Sequence, residues 1–190
     1  MNYNHNSTNT KASMTHPDIH FELRGDHKEV AVIRLTRAAK RNALNDGLIL
    51  ALRNIFEELP SSVRAAVIDG EGPHFCAGLD LSELKERDAG QGLHHSRMWH
   101  AALERVQYGP VPVVAALHGA VVGGGLELAL GCHYRIAAPG CSIALPEVKL
   151  GLIPGAGGTQ RLPRVIGVEA ALNMIVSGEP VAAALLAQVP

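Results

Sequence analysis

Hydrophobic and polar residues change their spacing several times along this 190-residue chain, and each change predicts a new element. Alternating apolar residues at 19–23 and an apolar run at 30–33, separated by a polar turn, predict a β-hairpin. Helical spacing of apolar residues predicts helices at 44–59, 99–106, 126–130 and 170–176, and short apolar runs predict strands at 65–68, 111–117 and 134–138. This alternation of strands and helices predicts a mixed α/β fold with a largely parallel core.

Composition indicates a folded chain with one core. Hydrophobic residues make up 47% of the sequence and the net charge is −1, which excludes an intrinsically disordered protein. The length predicts a single domain. Residues 1–17 are rich in Asn, Ser, Thr and His, so we expect a disordered N-terminal tail there and a core domain over 18–190. Met14 is an alternative to Met1 as the true start.

Several classes of partner and site find no support in the sequence. Seventeen Lys and Arg against eighteen Asp and Glu leave no basic excess for a nucleic-acid partner. No apolar run approaches the roughly 18 residues that a membrane helix needs. The start lacks the apolar segment of a signal peptide, and three cysteines without a C-x-x-C pair predict free thiols, so we expect a cytoplasmic protein. Ten histidines without an H-E-x-x-H motif predict no metal site.

Two glycine-containing segments are candidates for binding an anion. Gly123–Gly125 stand directly before a predicted helix, where unpaired backbone N–H groups suit a developing oxyanion. A flexible loop is the alternative interpretation. Residues 74–81 follow a predicted strand, and an ordinary turn with Asp80 as a helix cap is as good an interpretation as a functional one.

Two isolated carboxylates stand in apolar surroundings. Glu127 falls in the first turn of an apolar helix, where it is either a partner of the helix dipole or a desolvated acid or base. Glu147 follows Pro146, where the alternative to a functional role is a solvated side chain. A strand and a turn between them suffice to bring both to one cleft. Two carboxylates beside one pocket can divide the roles of acid and base.

Five segments, taken together and in this order, resemble the enoyl-CoA hydratase/isomerase (crotonase) family. They are RAAKRNALN at 37–45, FCAGLD at 75–80, GGGLELA at 123–129, LPEVKLG at 145–151 and PGAGGTQRLPR at 154–164. The resemblance implies the ClpP/crotonase fold, a spiral of ββα units, and acyl-CoA thioesters as substrates. It also implies assembly into a homotrimer or hexamer.

The resemblance assigns roles to named residues. Backbone N–H groups of Leu79 and Gly124 would hold the thioester carbonyl oxygen. Glu127 and Glu147 would hold and activate a water, with Glu147 exchanging the proton at Cα. The resemblance implies no metal or redox cofactor. Coenzyme A enters as part of the substrate. The remaining candidates for contact with substrate or coenzyme A are Arg37, Lys40, Ala77, Asp80 and Leu81. For the two basic residues, a basic turn in water is the alternative.

The chain departs from the family pattern in two places. His133 stands where the family often has Asp, which we expect to affect a local structural hydrogen bond more than catalysis. We also expect the chain to lack most of the family's C-terminal helical section, which puts assembly and pocket closure in question.

The reaction predicted from the resemblance is hydration of a trans-2-enoyl-CoA to a 3-hydroxyacyl-CoA, in fatty-acid or related acyl-CoA degradation. The alternatives are double-bond isomerisation by the same family and a truncated, non-catalytic fragment that binds acyl-CoA. The sequence predicts neither the acyl chain length nor the pathway.

Overall fold

The computed structural model describes residues 16–83, 86 and 88–186. The strands are β1 (Ile19–Arg24), β2 (Val30–Leu35), β3 (Ala65–Gly70), β4 (Val113–Leu117), β5 (Ala120–Val122), β6 (Tyr134–Ala137), β7 (Ser142–Ala144) and β8 (Val181–Ala182). The helices are α1 (Asp46–Glu57), α2 (Ala89–Tyr108), α3 (Gly124–Gly131), α4 (Gly158–Ile166), α5 (Val168–Ser177) and α6 (Ala183–Leu186). Short 3₁₀ turns cover Ala38–Lys40, Leu81–Glu83 and Glu147–Leu150.

The strands form two sheets. In the larger sheet the order is β1-β2-β3-β4-β6, and the antiparallel β1–β2 hairpin leads into parallel pairing from β2 through β6. The smaller sheet has the order β5-β7-β8, with β5 and β7 parallel and β8 antiparallel to β7. The predicted hairpin and the mixed α/β fold with a largely parallel core are therefore confirmed.

The core forms between the larger sheet and the helices. Helix α1 buries Leu48, Leu52, Ile55 and Phe56. Its first turn is capped by Asn45, whose Oδ1 accepts a hydrogen bond from Leu48 N at 2.8 Å. This apolar face is the one that the sequence pattern predicts.

The apolar spacing begins at Leu44 and leaves Asn42 and Asn45 as alternative caps of the first helix, and the structure has Asn45 as the cap. Asn45 is an extended N-cap, so Leu44 lies outside α1 and forms a parallel β-bridge with Leu79. Leu44 N donates to Gly78 O at 2.7 Å, and Asp80 N donates to Leu44 O at 2.8 Å. The start of α1 is thereby tied to the glycine-containing loop at 77–80.

Helix α2 is much longer than predicted. Its buried residues are Trp99, Ala102, Leu103 and Val106, all in the C-terminal half, which is why the apolar pattern showed only that half. The N-terminal half begins with a capping box between Asp88 and Gln91.

Residues 1–15 of the predicted tail lie outside the described residues, as do 84, 85, 87 and 187–190. His16, within the predicted tail, forms a β-bridge with Ile19. The domain boundary at residue 18 stays a prediction. Cys76, Cys132 and Cys141 are buried free thiols, and burial raises the pKa of Cys76 and Cys132 to about 12. Within the described ranges, no helix has the length and apolar character needed to cross a membrane. The cytoplasmic location stays a prediction.

Candidate active site

A cavity of about 420 Å³ opens between the 77–81 loop, α2, the start of α3 and the segment 146–156. Four of the residues singled out in the sequence for an oxyanion hole or for acid–base chemistry line it: Leu79, Gly124, Glu127 and Glu147. Ala77 and Leu81 line it as well. The fold therefore brings together residues from Ala77 to Ala156, which are 79 positions apart in the chain, as packed strands and crossovers do.

Two backbone N–H groups lie close together on one wall of this cavity. A methyl group placed on Gly124 would lie 3.6 Å from Leu79 N. Neither Leu79 N nor Gly124 N donates to an acceptor among the described residues. Gly124 is also the first residue of α3, so the positive end of the helix dipole lies here. The pair can accept a developing negative charge on an oxygen between them.

Glycine is required where the 77–80 loop approaches α3. Gly78 has φ +91°, and a Cβ there would lie 2.8 Å from Val122 O. A Cβ on Gly125 would come within 2.7 Å of Sγ and Cβ of Cys76. Larger residues at either place would separate the two N–H groups.

Glu127 is 3% exposed and projects from the first turn of α3. Its Oε1 accepts hydrogen bonds from Ala156 N at 2.9 Å and from Gly158 N at 2.7 Å, which are the backbone of the loop that opens α4. Burial, with a smaller contribution from the nearby Glu147, raises the pKa of Glu127 to about 7, although these two N–H groups act to lower it. A carboxyl group with this pKa can take or give a proton near neutral pH.

Glu147 begins the 3₁₀ turn at Glu147–Leu150. Its Oε2 is buried and has no hydrogen-bond partner among the described residues, while its Oε1 lies 3.0 Å from the position of a Cβ on Gly123. Burial also raises the pKa of Glu147 above its usual range. A buried oxygen without a partner is costly, and it is typical of a position that a ligand or water satisfies.

Arg161 supports the loop that holds Glu127. Its Nη1 donates to Ala156 O at 2.8 Å and its Nε donates to Gln107 Oε1 at 2.8 Å, so the guanidinium joins the loop to α2. The positive charge of Arg161 also lowers the pKa of Glu127. Arg161 belongs to the segment at 154–164, but the sequence alone indicates no role for it.

Three predicted substrate contacts lie outside the cavity wall. Asp80 Oδ1 accepts hydrogen bonds from Ser82 N and Oγ, and Asp80 Oδ2 forms an ion pair with Arg37 Nη1 at 2.7 Å. These hydrogen bonds from Ser82, with the Arg37 charge, hold the pKa of Asp80 at about 2. Asp80 thus caps the 3₁₀ turn at Leu81–Glu83, the structural alternative that the sequence left open.

The basic residues of the 37–45 segment differ in their surroundings. Arg37 also contacts Asp18 at 3.4 Å and donates to Ala43 O at 2.9 Å, so protein groups surround its guanidinium. The Lys40 side chain is 55% exposed and its Nζ lies 3.9 Å from Asp80 Oδ1. Contact of these two residues with coenzyme A stays a prediction.

His133, the first departure from the family pattern, accepts a hydrogen bond at Nδ1 from Val113 N at 3.1 Å, at the start of β4. It is a local structural contact away from the cavity wall, as expected. Among the described residues, no cluster of three or more His, Cys, Asp or Glu could hold a metal ion.

One polar part of the cavity wall was not predicted from the sequence. His95 and Trp99 line the cavity from consecutive turns of α2. Both contact Asp46 of α1, through His95 Nδ1 at 3.2 Å and through Trp99 Nε1 at 3.1 Å. The spacing of four residues places both on one helix face, but their carboxylate partner is too distant in the sequence to be predicted.

Known proteins share this architecture and these motifs. The sequence model of the family described as Enoyl-CoA hydratase/isomerase matches residues 25–189. A "Probable enoyl-CoA hydratase" of Bacillus subtilis is 44% identical over 145 residues, which are 74% of this chain and 55% of that protein. The chain thus spans little more than half the length of this relative.

Solved structures agree with the sequence match. An enoyl-CoA hydratase from Bacillus anthracis superimposes with a TM-score of 0.81 at 39% identity, covering 88% of this chain and 66% of that one. A Thermobifida fusca protein solved in complex with CoA has a TM-score of 0.84 at 29% identity, covering 90% and 69%. The crotonase-like fold implied by the sequence motifs is confirmed, and the chain belongs to the enoyl-CoA hydratase/isomerase family.

Proposed function

We propose that this protein adds water across the 2,3 double bond of a trans-2-enoyl-CoA to give a 3-hydroxyacyl-CoA. The observation that carries the proposal is that the buried Glu127 and the half-buried Glu147, whose Oε2 is buried, line the same cavity as Leu79 and Gly124, whose N–H groups have no acceptor among the described residues. One pair supplies acid–base chemistry and the other supplies charge stabilisation.

The thioester carbonyl oxygen accepts hydrogen bonds from Leu79 N and Gly124 N in the proposed complex. When water attacks C3, electrons of the double bond move toward the carbonyl, and that oxygen becomes enolate-like. Donors aimed at this charge are more effective in the transition state than in the ground state. Removing one donor from comparable sites costs about 10²–10³ in rate.

The two carboxyl groups divide the proton transfers. Glu127, with its pKa near 7, takes a proton from the water as the oxygen bonds to C3. Glu147, to which the family resemblance assigns the proton at Cα, gives its proton to C2. One proton leaves the water and one reaches the product, so exchange between the two carboxyl groups restores the starting state. Both groups face one cavity, which supports syn addition.

Coenzyme A enters as part of the substrate, and the proposed reaction needs no metal or redox cofactor. The structural relative solved in complex with CoA supports an acyl-CoA ligand. Apolar side chains of Leu81, Leu150, Leu152 and Ile153 in the cavity wall suit an acyl chain. Lys40, which is more exposed than Arg37, is the better placed of the two to meet a coenzyme phosphate. Assembly into a homotrimer or hexamer belongs to the same proposal.

Loss of the enoyl-thioester absorbance of crotonyl-CoA tests this function. We expect wild-type protein to consume the absorbance and both Glu127→Gln and Glu147→Gln to lose most of the rate. Glu104→Gln, an exposed glutamate of α2, is the matched control and should retain it. Activity that survives both cavity substitutions would refute the mechanism.

Isomerisation is the second candidate, because the matching family is described as Enoyl-CoA hydratase/isomerase. A 3-enoyl-CoA separates the two reactions: an isomerase would produce the conjugated 2-enoyl thioester without forming a hydroxyl product. A non-catalytic protein, the third candidate, would bind acyl-CoA and turn over neither substrate.

A further inference from the structure

The cavity wall has a polar position that the proposed hydration does not use. Apart from Glu127 and Glu147, the polar side chains of its described lining include His95 and Ser96 of α2, beside the apolar Leu79, Leu81 and Trp99. The His95 side chain is only 21% exposed. An imidazole at an apolar wall needs a partner for each ring nitrogen when a ligand displaces water.

Asp46 determines which ring nitrogen is available. Its Oδ1 lies 3.2 Å from His95 Nδ1 and also accepts from Trp99 Nε1 at 3.1 Å. An ionised carboxylate accepts hydrogen bonds and cannot donate them, so a neutral imidazole whose Nδ1 faces it is best placed with the proton on Nδ1. In the neutral ring, Nε2 is then an acceptor, and it has no partner among the described residues. A hydrogen-bond donor on the ligand would satisfy it.

The position of His95 relative to the reacting centre follows from α2. A methyl on Gly124 would lie 3.3 Å from Trp99 Cζ3, so the indole borders the paired N–H groups. His95 lies one helical turn before Trp99, about 5.4 Å further along the helix axis. A group that reaches His95 therefore lies about one helical turn away from the paired N–H groups.

The charge of the cavity selects among donors. An anionic group would meet Glu127 and Glu147 in the same cavity, with Asp46 behind the imidazole. A hydroxyl carries no charge and can donate to Nε2 without a change in the protonation of the ring.

We infer that His95 is a specificity-determining residue that accepts a hydrogen bond from a hydroxyl on the distal acyl chain. The substrate class is accordingly hydroxylated enoyl thioesters rather than plain alkyl ones. This inference rests on the proposed function only in taking an acyl-CoA as the ligand.

Binding of saturated, unreactive thioesters tests the inference separately from catalysis. Titration calorimetry with hexanoyl-CoA and 6-hydroxyhexanoyl-CoA measures the preference in wild type, and the carboxylate-ended adipoyl-CoA measures the effect of charge. We expect about tenfold tighter binding of the hydroxylated ligand than of hexanoyl-CoA, since one hydrogen bond without compensation changes affinity by this order. We expect adipoyl-CoA to bind no more tightly than hexanoyl-CoA.

Two variants locate the effect. In His95→Phe the preference for the hydroxyl should disappear, whereas His94→Phe, an exposed histidine of the same helix, should keep it. Equal binding of the first two ligands by wild type would overturn the inference, as would a preference that persists in His95→Phe or tighter binding of adipoyl-CoA than of 6-hydroxyhexanoyl-CoA. If His95→Phe weakens the binding of all three ligands by the same factor, His95 contacts the coenzyme portion, and this result also overturns the inference. Failure of crotonyl-CoA hydration with the preference intact would refute only the proposed reaction.

Discussion

Replacing Glu127 by Gln should stabilise the fold, and the stabilisation should grow with pH. Burial raises the pKa of Glu127 from an ordinary 4.5 to about 7 in the folded protein. The folded state therefore holds this proton more tightly than the unfolded state does. The contribution of the group to stability is fully present below pH 4.5 and is lost as pH rises through 7.

The magnitude follows from these two values. Between pH 5 and pH 8, a carboxyl group with a folded pKa near 7 and an unfolded pKa near 4.5 loses about 2–3 kcal/mol of stabilisation. Glutamine has the same shape and its Oε1 can still accept from Ala156 N and Gly158 N, but it does not ionise. The variant should therefore gain about 2–3 kcal/mol relative to wild type over this range.

Urea unfolding at pH 5 and pH 8 measures the effect. The quantity is the free energy of unfolding of Glu127→Gln minus that of wild type, because other titrating groups cancel in the difference. Glu104→Gln serves as the control, and its difference from wild type should be the same at both pH values. A difference for Glu127→Gln that stays constant from pH 5 to pH 8, or decreases, would refute the burial argument.

Three further changes test the supports of the site. Gly125→Ala should cost about 1–3 kcal/mol of unfolding free energy, because its Cβ would come within 2.7 Å of Cys76 side-chain atoms. Arg161→Gln should move the acid limb of the kcat/KM profile to higher pH, since the Arg161 charge lowers the pKa of Glu127. Asn45→Ala should cost about 1 kcal/mol in urea unfolding through loss of the α1 cap.

Matched controls accompany these changes. Gly131→Ala, in the same helix α3, meets nothing closer than 3.7 Å and should cost little; an equal loss from both glycines would contradict the close-approach argument. Arg164→Gln should leave the acid limb of the kcat/KM profile unchanged. If the acid limb moves by a similar amount in both arginine variants, the effect of Arg161 on the pKa of Glu127 is contradicted. Asn173 is an exposed asparagine of α5. The Asn45→Ala variant should be clearly less stable than the control variant Asn173→Ala.

Periodicity predicted the elements that bury a continuous apolar face. The second strand of the hairpin, β3, β4 and the buried half of α2 all have this property, whereas β6 is largely exposed and was predicted from its apolar residues alone. The smaller sheet was not predicted, because its strands have only two or three residues and show no pattern of their own. The N-terminal half of α2 was also not predicted, because none of its residues is buried and it shows no apolar pattern.

The candidate site was predictable where a residue type contrasts with its neighbours. Glu127 and Glu147 interrupt apolar segments, and adjacent glycines before a helix indicate free N–H groups. Asp80 shows the limit, since its motif does not reveal that Arg37 and Ser82 already satisfy its carboxylate. The Asp46–His95 contact joins two helices and has no local sequence signal.

The origin of the product's hydroxyl oxygen tests the central claim most directly. Crotonyl-CoA is incubated with the protein in H₂¹⁸O, and the product is analysed by mass spectrometry and NMR. The proposed mechanism predicts 3-hydroxybutyryl-CoA with one ¹⁸O at C3, formed by wild type and lost in the Glu127→Gln, Glu147→Gln double variant. Unlabelled thioester from wild type, or the same labelled product at an undiminished rate from the double variant, would contradict it.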